Sequence, residues 1–433
     1  MRIGIDYTAL QGPHQYRGIG SVLLNIINSL SEENKSKHRF IFFVKHGSSN
    51  QKNLFKNIDL TNISYQVIEF NKDKSVIRQL PGRLRIINSI INGLSKYYRL
   101  RYGHSLINNS DLKKIDVYLQ IDPNIPLPKK VHGLVTSVML HDLIPYILEA
   151  DYLWNYHTSR IHGLSRKASL RTLARRLLYA WNFKALIKHA DILLANSEHT
   201  KQDFIKFAGV KPERIKVTLL GVKKLKTDLT DTKPTMIYKH TSWGYLKEPY
   251  DFDNTPFILY VGGADRRRKI EDIVMAFNRI RAKGTPLKLV LAGDSMDGPM
   301  KISTEEIQHA LKTSSYFSDI IYMGYTDTAT LNWLYKHALT FVFPSRYEGF
   351  GLPVLEAMSH GTPVIAYDNQ AIREICKNIP IYVNNGLELE QSILELLKMT
   401  PAKRLQLVQP AIELVELYDW KKTSNKIIRI ITS

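Results

Sequence analysis

Two glutamates, Glu348 and Glu356, are separated by seven residues in the segment Phe341 to Ile365, which contains the chain's densest set of reactive and conformationally special residues. A carboxylate can accept two hydrogen bonds from a vicinal diol, so two carboxylates at this spacing can hold two hydroxylated rings. The segment reads as strand, glycine loop, short helix, glycine stop, strand. Pro353 suits a first helical position and Gly361 the residue just past a helix end. Glu348 then falls in the loop and Glu356 in the first turns of the helix. The free amides and positive end of that helix face the mouth of a sheet, where a diphosphate is favoured.

A second candidate lies upstream, where a strand ending at Val261 runs into Gly262, Gly263 and the cluster Arg266, Arg267, Arg268 and Lys269. Cations at that mouth would neutralise a departing nucleoside diphosphate. Near the N-terminus, Gly18 and Gly20 follow the first strand, and glycines there let backbone approach a ligand closely. His141 and Asp142 close a later strand. Asp251-Phe-Asp253 is the one D-x-D pattern, but it sits in irregular sequence away from any strand end and reads as turn chemistry, so no metal ligand is expected.

The elements that must position these residues are alternating apolar strands and amphipathic helices, which imply parallel sheets covered by helices. In the first half the strands are Arg2 to Asp6, Arg39 to Lys45, Val117 to Ile121, Val135 to Leu140 and Ile192 to Ala195, with a helix from Val22 to about Leu30. Polar, threonine-rich sequence follows. In the second half come Phe257 to Val261, Leu287 to Ala292, Ile320 to Met323, Thr340 to Pro344 and Pro363 to Ala366, with a helix from Ile270 to Arg281. The expected organisation is an N-terminal Rossmann-like domain over 1–222, a connecting segment over 223–254, a C-terminal Rossmann-like domain over 255–410, and a terminal helical segment, 411–433, that can cross back to the first domain.

Bulk properties agree with two soluble domains. At 433 residues the chain exceeds the roughly 250 to 300 at which single cores stop growing. Its single cysteine, Cys376, excludes a disulfide framework or a multi-cysteine metal cluster and fits a reducing compartment. The sequence enters a strand directly after Met1 and holds no apolar run long enough to span a bilayer, so a cytoplasmic protein is expected. The formal net charge of +20 points to polyanionic partners.

The Phe341 to Ile365 segment resembles the E-x7-E signature of retaining GT-B glycosyltransferases of family 4, down to P-S-x-x-E-G-F-G-L-P and E-A-M-x-x-G-x-P-V. The resemblance implies a GT-B α/β fold, two Rossmann-like domains whose parallel sheets face an interdomain cleft. It implies that Glu356 binds the donor ribose, that Glu348 contacts the donor hexose, and that Gly349, Phe350, Gly351 and Leu352 meet sugar and phosphate through their backbone. The upstream cluster is similar to the family's V-G-x-x-x-x-x-R-K-N segment, which puts Lys269 on the diphosphate-binding lysine. Gly262, Gly263 and Arg268 join it in the donor site. Two departures stand out: Gly263 occupies the place of a second phosphate-binding arginine, for which Arg266, Arg267 or Arg268 can compensate, and Ile270 replaces an Asn or Gly. Further matches are Arg17-Gly-Ile-Gly, which carries over Gly18 and Gly20, and His141-Asp-Leu-Ile-Pro, whose histidine touches the donor sugar near its reacting centre. Residues 190–222 also match family landmarks, with Lys223 in place of the usual Asp.

On this resemblance the chemistry is retaining and needs neither metal nor cofactor. His141, Lys269 and Glu348 are the catalytic set, and the donor is a nucleotide-sugar. GDP-mannose is the first donor to expect and dTDP-rhamnose the second, with a glycan or lipid-linked acceptor of bacterial surface polysaccharide or glycoconjugate synthesis. Rival functions are a GT-B-like nucleotide-sugar epimerase and a non-enzymatic partner subunit or polyanion-binding protein. No nucleic-acid module is recognisable, so no nucleic acid is expected as partner. From Tyr152 to Ala190 there is no acidic residue, while Lys167, Arg171 and Arg175 recur at helical spacing beside Leu170, Leu173, Leu177 and Trp181. A second acid-free run covers Arg83 to Arg101. Two readings fit the first run: peripheral docking on the anionic inner face of the cell membrane, or an apolar stripe packed into the core with its charges solvated.

Overall fold

The computed structural model describes residues 1–11, 18–46, 55–70, 107–152, 165–223, 232–241, 244–293 and 304–433. The Arg83 to Arg101 run and Arg17 lie outside the described residues. The chain divides into two compact units, Met1–Gly221 with Trp420–Ser433, and Val222–Asp419.

In the first unit a seven-stranded sheet has the order β3-β2-β1-β4-β5-β6-β7. Its strands are β1 (Arg2–Asp6), β2 (Arg39–Lys45), β3 (Tyr65–Phe70), β4 (Val117–Gln120), β5 (Val135–Leu140), β6 (Ile192–Ala195) and β7 (Ile215–Val217). All neighbouring pairs are parallel. Helices α1 (Gly18–Asn28), α2 (Arg166–His189) and α3 (Glu198–Ala208) connect strands of this sheet. Helix α1 begins four residues before the expected Val22, because the apolar pattern of Val22, Leu23, Ile26 and Ile27 extends back to Ile19. Gly18 and Gly20 therefore lie in its first turn rather than in a loop.

The second unit holds an eight-stranded sheet, order β15-β14-β13-β10-β11-β12-β8-β9. Its parallel strands are β10 (Phe257–Val261), β11 (Lys288–Ala292), β12 (Ile320–Gly324), β13 (Thr340–Phe343), β14 (Val364–Tyr367) and β15 (Ile381–Val383). The stretch expected only to connect domains supplies an antiparallel hairpin, β8 (Met236–Thr241) and β9 (Gly244–Pro249), paired to β12 at the sheet edge. The central strands are apolar on both faces, as a sheet covered on both sides demands. Ile258, Tyr260, Phe277, Leu289 and Val342 are fully buried in its core. The helices used below are α4 (Ile270–Ala282), α5 (Thr328–His337), α6 (Leu352–Ser359), α7 (Gln370–Cys376), α8 (Pro401–Val415) and α9 (Trp420–Thr432). The helical tail is thus two helices: α8 stays with the second unit and α9 belongs to the first.

Strand order identifies where a ligand can sit in the second unit. The chain builds outward from β10 in one direction through β11 and β12, then returns to lay β13 on the other side of β10. At such a switch point the loops leaving adjacent strands diverge and open a crevice at their carboxyl ends. The diverging loops are those after β10 and β13, which carry the arginine cluster and Glu348.

Candidate active site

The loop after β10 is built by close packing and one cap. Asp265 accepts a hydrogen bond from the Arg267 amide at 3.3 Å and opens a single 3-10 turn, Arg266–Arg268. Lys269 follows with a φ of +43° and starts α4. That left-handed backbone is rare for any residue with a β-carbon, and after glycine it is asparagine that tolerates it best. The Lys269 side chain leaves the crevice: its Nζ donates to Glu271 at 2.9 Å and a third of it is exposed. The structure therefore does not bring Lys269 to Glu348. An ammonium cannot accept from the first-turn amides as a capping side chain does, and Glu271 in that turn holds it instead.

Arg267 and Arg268 turn inward instead. Arg267 Nη1 donates to Asp265 Oδ2 at 2.9 Å, its Nε to the Tyr347 carbonyl at 3.1 Å, and its Nη2 lies 3.3 Å from both Glu348 oxygens. The Arg346 amide completes this brace by donating to the Arg267 carbonyl at 2.8 Å. Arg267 thus rivets one loop to the other. Arg268 is less committed. Its guanidinium lies 5.7 Å from the Phe343 ring centre, Nη1 is 3.4 Å from the Tyr260 hydroxyl, and Nε is 3.5 Å from Glu348 Oε1. The Nε donor is buried without a hydrogen bond. Gly262 makes room for this side chain, since a β-carbon there would stand 1.9 Å from Arg268 Nη1. The Tyr260 hydroxyl donates to the Gly263 carbonyl at 2.8 Å, and burial raises its pKa.

Glu348 itself is 8% exposed and also accepts from Ser345 Oγ at 2.9 Å. It is the counter-ion of a two-arginine cluster, with part of its acceptor capacity left for a ligand. Asn369 stabilises the loop from behind: its Oδ1 accepts from the Ile372 amide at 3.0 Å to cap α7, and its Nδ2 donates to the Ser345 carbonyl at 2.9 Å. Gly351, with φ +101°, starts α6 where a β-carbon would come within 2.2 Å of Ile372. The Val354 and Leu355 amides return to the Gly351 carbonyl and Pro353 has no N–H, so ahead of them in α6 only Leu352 has an amide to offer, beside the loop of Gly349, Phe350 and Gly351. Glu356 sits one turn in. Tyr335 of α5 donates to its Oε2 at 3.3 Å. Burial pushes its pKa up to about 7 against the opposing effects of that hydrogen bond and of Lys223.

In the first unit, His141 ends β5 and its Nε2 lies 2.8 Å from the Ile121 carbonyl, an acceptor only, so Nε2 carries a proton. Its own carbonyl accepts from Asn196 and Thr200 at 3.0 and 3.2 Å. Asp142 accepts from the Ile144 amide at 3.0 Å, a turn-capping contact. Gly18 is exposed at the start of α1 and a β-carbon there would meet nothing within 4 Å. In the second unit Asp251 pairs with Lys233, and Asp253 pairs with Lys288 at 2.8 Å while capping the Thr255 amide. Sequence reading missed Tyr260, Ser345, Asn369 and Tyr335, and left Arg267 as one of three arginines able to compensate for Gly263. Only Asn369, a capping residue just before a helical pattern, had a readable signal.

Residues 246–412 match the model of the family described as glycosyl transferases group 1. An uncharacterized glycosyltransferase of Methanocaldococcus jannaschii is 23% identical over 291 residues, covering 66% of this chain and 70% of that protein. The O-antigen chain mannosyltransferase B of Escherichia coli is 24% identical over 258 residues, 60% of this chain and 59% of that protein, so the match spans less than two thirds of its length. Among solved structures, HepE of Anabaena, crystallised with UDP and glucose, superposes with a TM-score of 0.61 at 14% identity, covering 100% of this chain and 99% of that one. That likeness concerns the fold alone. The chain has the two parallel-sheet α/β domains of the GT-B fold, and its residues 246–412 are similar to the group 1 glycosyl transferases.

Proposed function

We propose that this chain is a retaining, metal-independent glycosyltransferase that passes a hexose or deoxyhexose from a nucleoside diphosphate sugar to a glycan or lipid-linked acceptor of surface polysaccharide synthesis. One observation carries the reading: a buried Arg268 guanidinium with an unused Nε donor faces Glu348 at the switch point. A buried charge-bearing donor that makes no hydrogen bond is costly, and a diphosphate would satisfy it.

The left-handed backbone at Lys269 supports a register in which the family's R-K-N falls on Arg267, Arg268 and Lys269, one residue earlier than sequence alone suggests. In that register Arg268 takes the diphosphate-binding place assigned above to Lys269. Arg268 and the Leu352 amide at the start of α6 would stabilise the negative charge that grows on the leaving diphosphate. Glu356, ionised, would accept from the two ribose hydroxyls, and Glu348 would hold the transferred sugar while keeping both arginines oriented. As the bond from the anomeric carbon to the diphosphate oxygen breaks, its electron pair goes to the diphosphate. The acceptor oxygen bonds to the same face of that carbon, and its proton passes to a diphosphate oxygen. The guanidinium and the helix N-terminus take the charge-neutralising part that a divalent ion plays elsewhere.

The named activity of the Escherichia coli relative supports GDP-mannose as the first donor to try, with dTDP-rhamnose second. The UDP bound to HepE supports a nucleoside diphosphate on this fold. No helix among the described residues is long and apolar enough to cross a membrane. We place the enzyme in the cytoplasm, peripheral to the membrane that carries its acceptor. The test is transfer from each donor to lipid-linked glycan in EDTA, with the product's anomeric proton read by NMR. Retained configuration without added metal is expected. An inverted product or a strict need for a divalent ion contradicts the reading, and a rearranged free donor without acceptor makes the protein an epimerase.

A further inference from the structure

Helix α2 is apolar on two sides. Phe183 and Leu186 point into the core of the first unit, with Tyr179 and Ile187 packed beside them. On the far side Leu170, Leu177 and Trp181 are 58%, 42% and 36% exposed. Their helical spacing puts them on one line, and Arg166, Lys184 and Lys188, all exposed, fall on that same line. A surface helix of a soluble domain needs one apolar face, so the second face is not explained by packing within its unit. Leu170, Leu177 and Trp181 are therefore not packed into the core of the first unit, as a purely structural stripe would require.

Among the described residues no acid pairs with Arg166, Lys184 or Lys188. The sequence between Tyr152 and Ala190 contains no Asp or Glu. The acid that does reach α2, Glu149, pairs with Arg176 on the flank of the helix. Asp191 just beyond it is held by Lys130 at 2.7 Å.

We propose that this face of α2 docks the protein on an anionic lipid bilayer. The three bulky apolar side chains would enter the boundary between headgroups and acyl chains, while Arg166, Lys184 and Lys188 meet lipid phosphates from the ends of their aliphatic stems. RNA offers the cations phosphates but gives Leu170 and Leu177 no apolar phase to enter. A second copy of this chain would bring the same cations face to face. The proposal stands apart from the donor chemistry.

Co-sedimentation of the full chain with phosphatidylglycerol-rich vesicles at low salt tests it. Binding that falls with salt and is weak on pure phosphatidylcholine is expected. The double variant Leu170→Asp, Leu177→Asp should stay in the supernatant, and Lys184→Gln with Lys188→Gln should weaken binding about fivefold per charge removed. Both variants should keep the wild-type melting temperature and nucleoside diphosphate affinity, since the substituted positions are exposed. A wild-type chain that does not bind anionic vesicles would falsify the proposal. Variants that bind vesicles as well as wild type would overturn it too, as would RNA binding that depends on Leu170 and Leu177, or a dimer dissolved by the same changes.

Discussion

The guanidinium of Arg268 occupies the space a side chain at Gly262 would need, with Nη1 only 1.9 Å from the position of a β-carbon there. Gly262→Ala should push Arg268 out of the crevice. Overpacking of this kind costs about 1 to 3 kcal/mol of stability. Calorimetric titration should also show nucleoside diphosphate binding weakened at least tenfold, with nucleoside binding little changed. An alanine variant that binds the diphosphate as wild type does would remove Arg268 from the site.

The left-handed backbone of Lys269 makes an opposite forecast. Lys269→Asn and Lys269→Gly relieve a conformation that costs an ordinary residue about 1 kcal/mol. Thermal melts should show both variants as stable as wild type or more so, and donor affinity should stay within about threefold, since the lost ammonium partner is Glu271 rather than ligand.

Glu356 gives a pH dependence with a definite sign. Its folded pKa, about 7, stands above the ordinary 4.5, so the folded state binds the extra proton between these values. The stability it contributes is complete below about 4.5 and is lost as pH rises through about 7. Glu356→Gln removes that loss. Denaturant melts should therefore place the variant above wild type at pH 8 by up to about 3 kcal/mol, and the gap should close on acidification. Binding runs the other way. An intact sugar nucleotide should bind more tightly to wild type as pH rises through about 7, because the ionised carboxylate accepts both ribose hydroxyls, and the glutamine variant should bind weakly with a flat profile.

Asn369 tests the support of the loop. Asn369→Ala removes the α7 cap and the contact to the Ser345 carbonyl and should cost about 1 to 2 kcal/mol in urea melts. Asn369→Asp keeps a capping oxygen but loses the donor to Ser345, so it should recover part of the stability and little of the donor affinity. Full recovery of both would mean that the Ser345 contact does nothing for the site.

Much of this architecture could be read from residue order. Strands such as Phe257–Val261 and Thr340–Phe343 are short continuous apolar runs, and burial on both faces leaves them no other composition. Pro353 and Gly361 marked both ends of the helix that carries Glu356. The β8–β9 hairpin escaped because its strands are polar and lie at a sheet edge, and β15 is only three residues long. Arg268 was placed in the donor site by sequence, but the diphosphate-binding role fell on its neighbour Lys269 for a different reason. In Arg266-Arg267-Arg268-Lys269 every residue is chemically suitable, and the choice is made by backbone geometry: a 3-10 turn aims two arginines inward and a left-handed residue aims the lysine away. Likewise the spacing of Leu170, Leu177 and Trp181 revealed a stripe but not which side of α2 faces the core.

The most direct test of the account compares Arg268→Ala with Lys269→Ala by calorimetric titration of GDP and UDP, with guanosine and uridine as controls. Loss of a charged hydrogen-bond donor to phosphate should weaken whichever diphosphate wild type binds by about 10- to 100-fold in Arg268→Ala, leaving nucleoside affinity nearly unchanged and Lys269→Ala within about threefold of wild type. Wild-type affinity in Arg268→Ala together with a large loss in Lys269→Ala would contradict it.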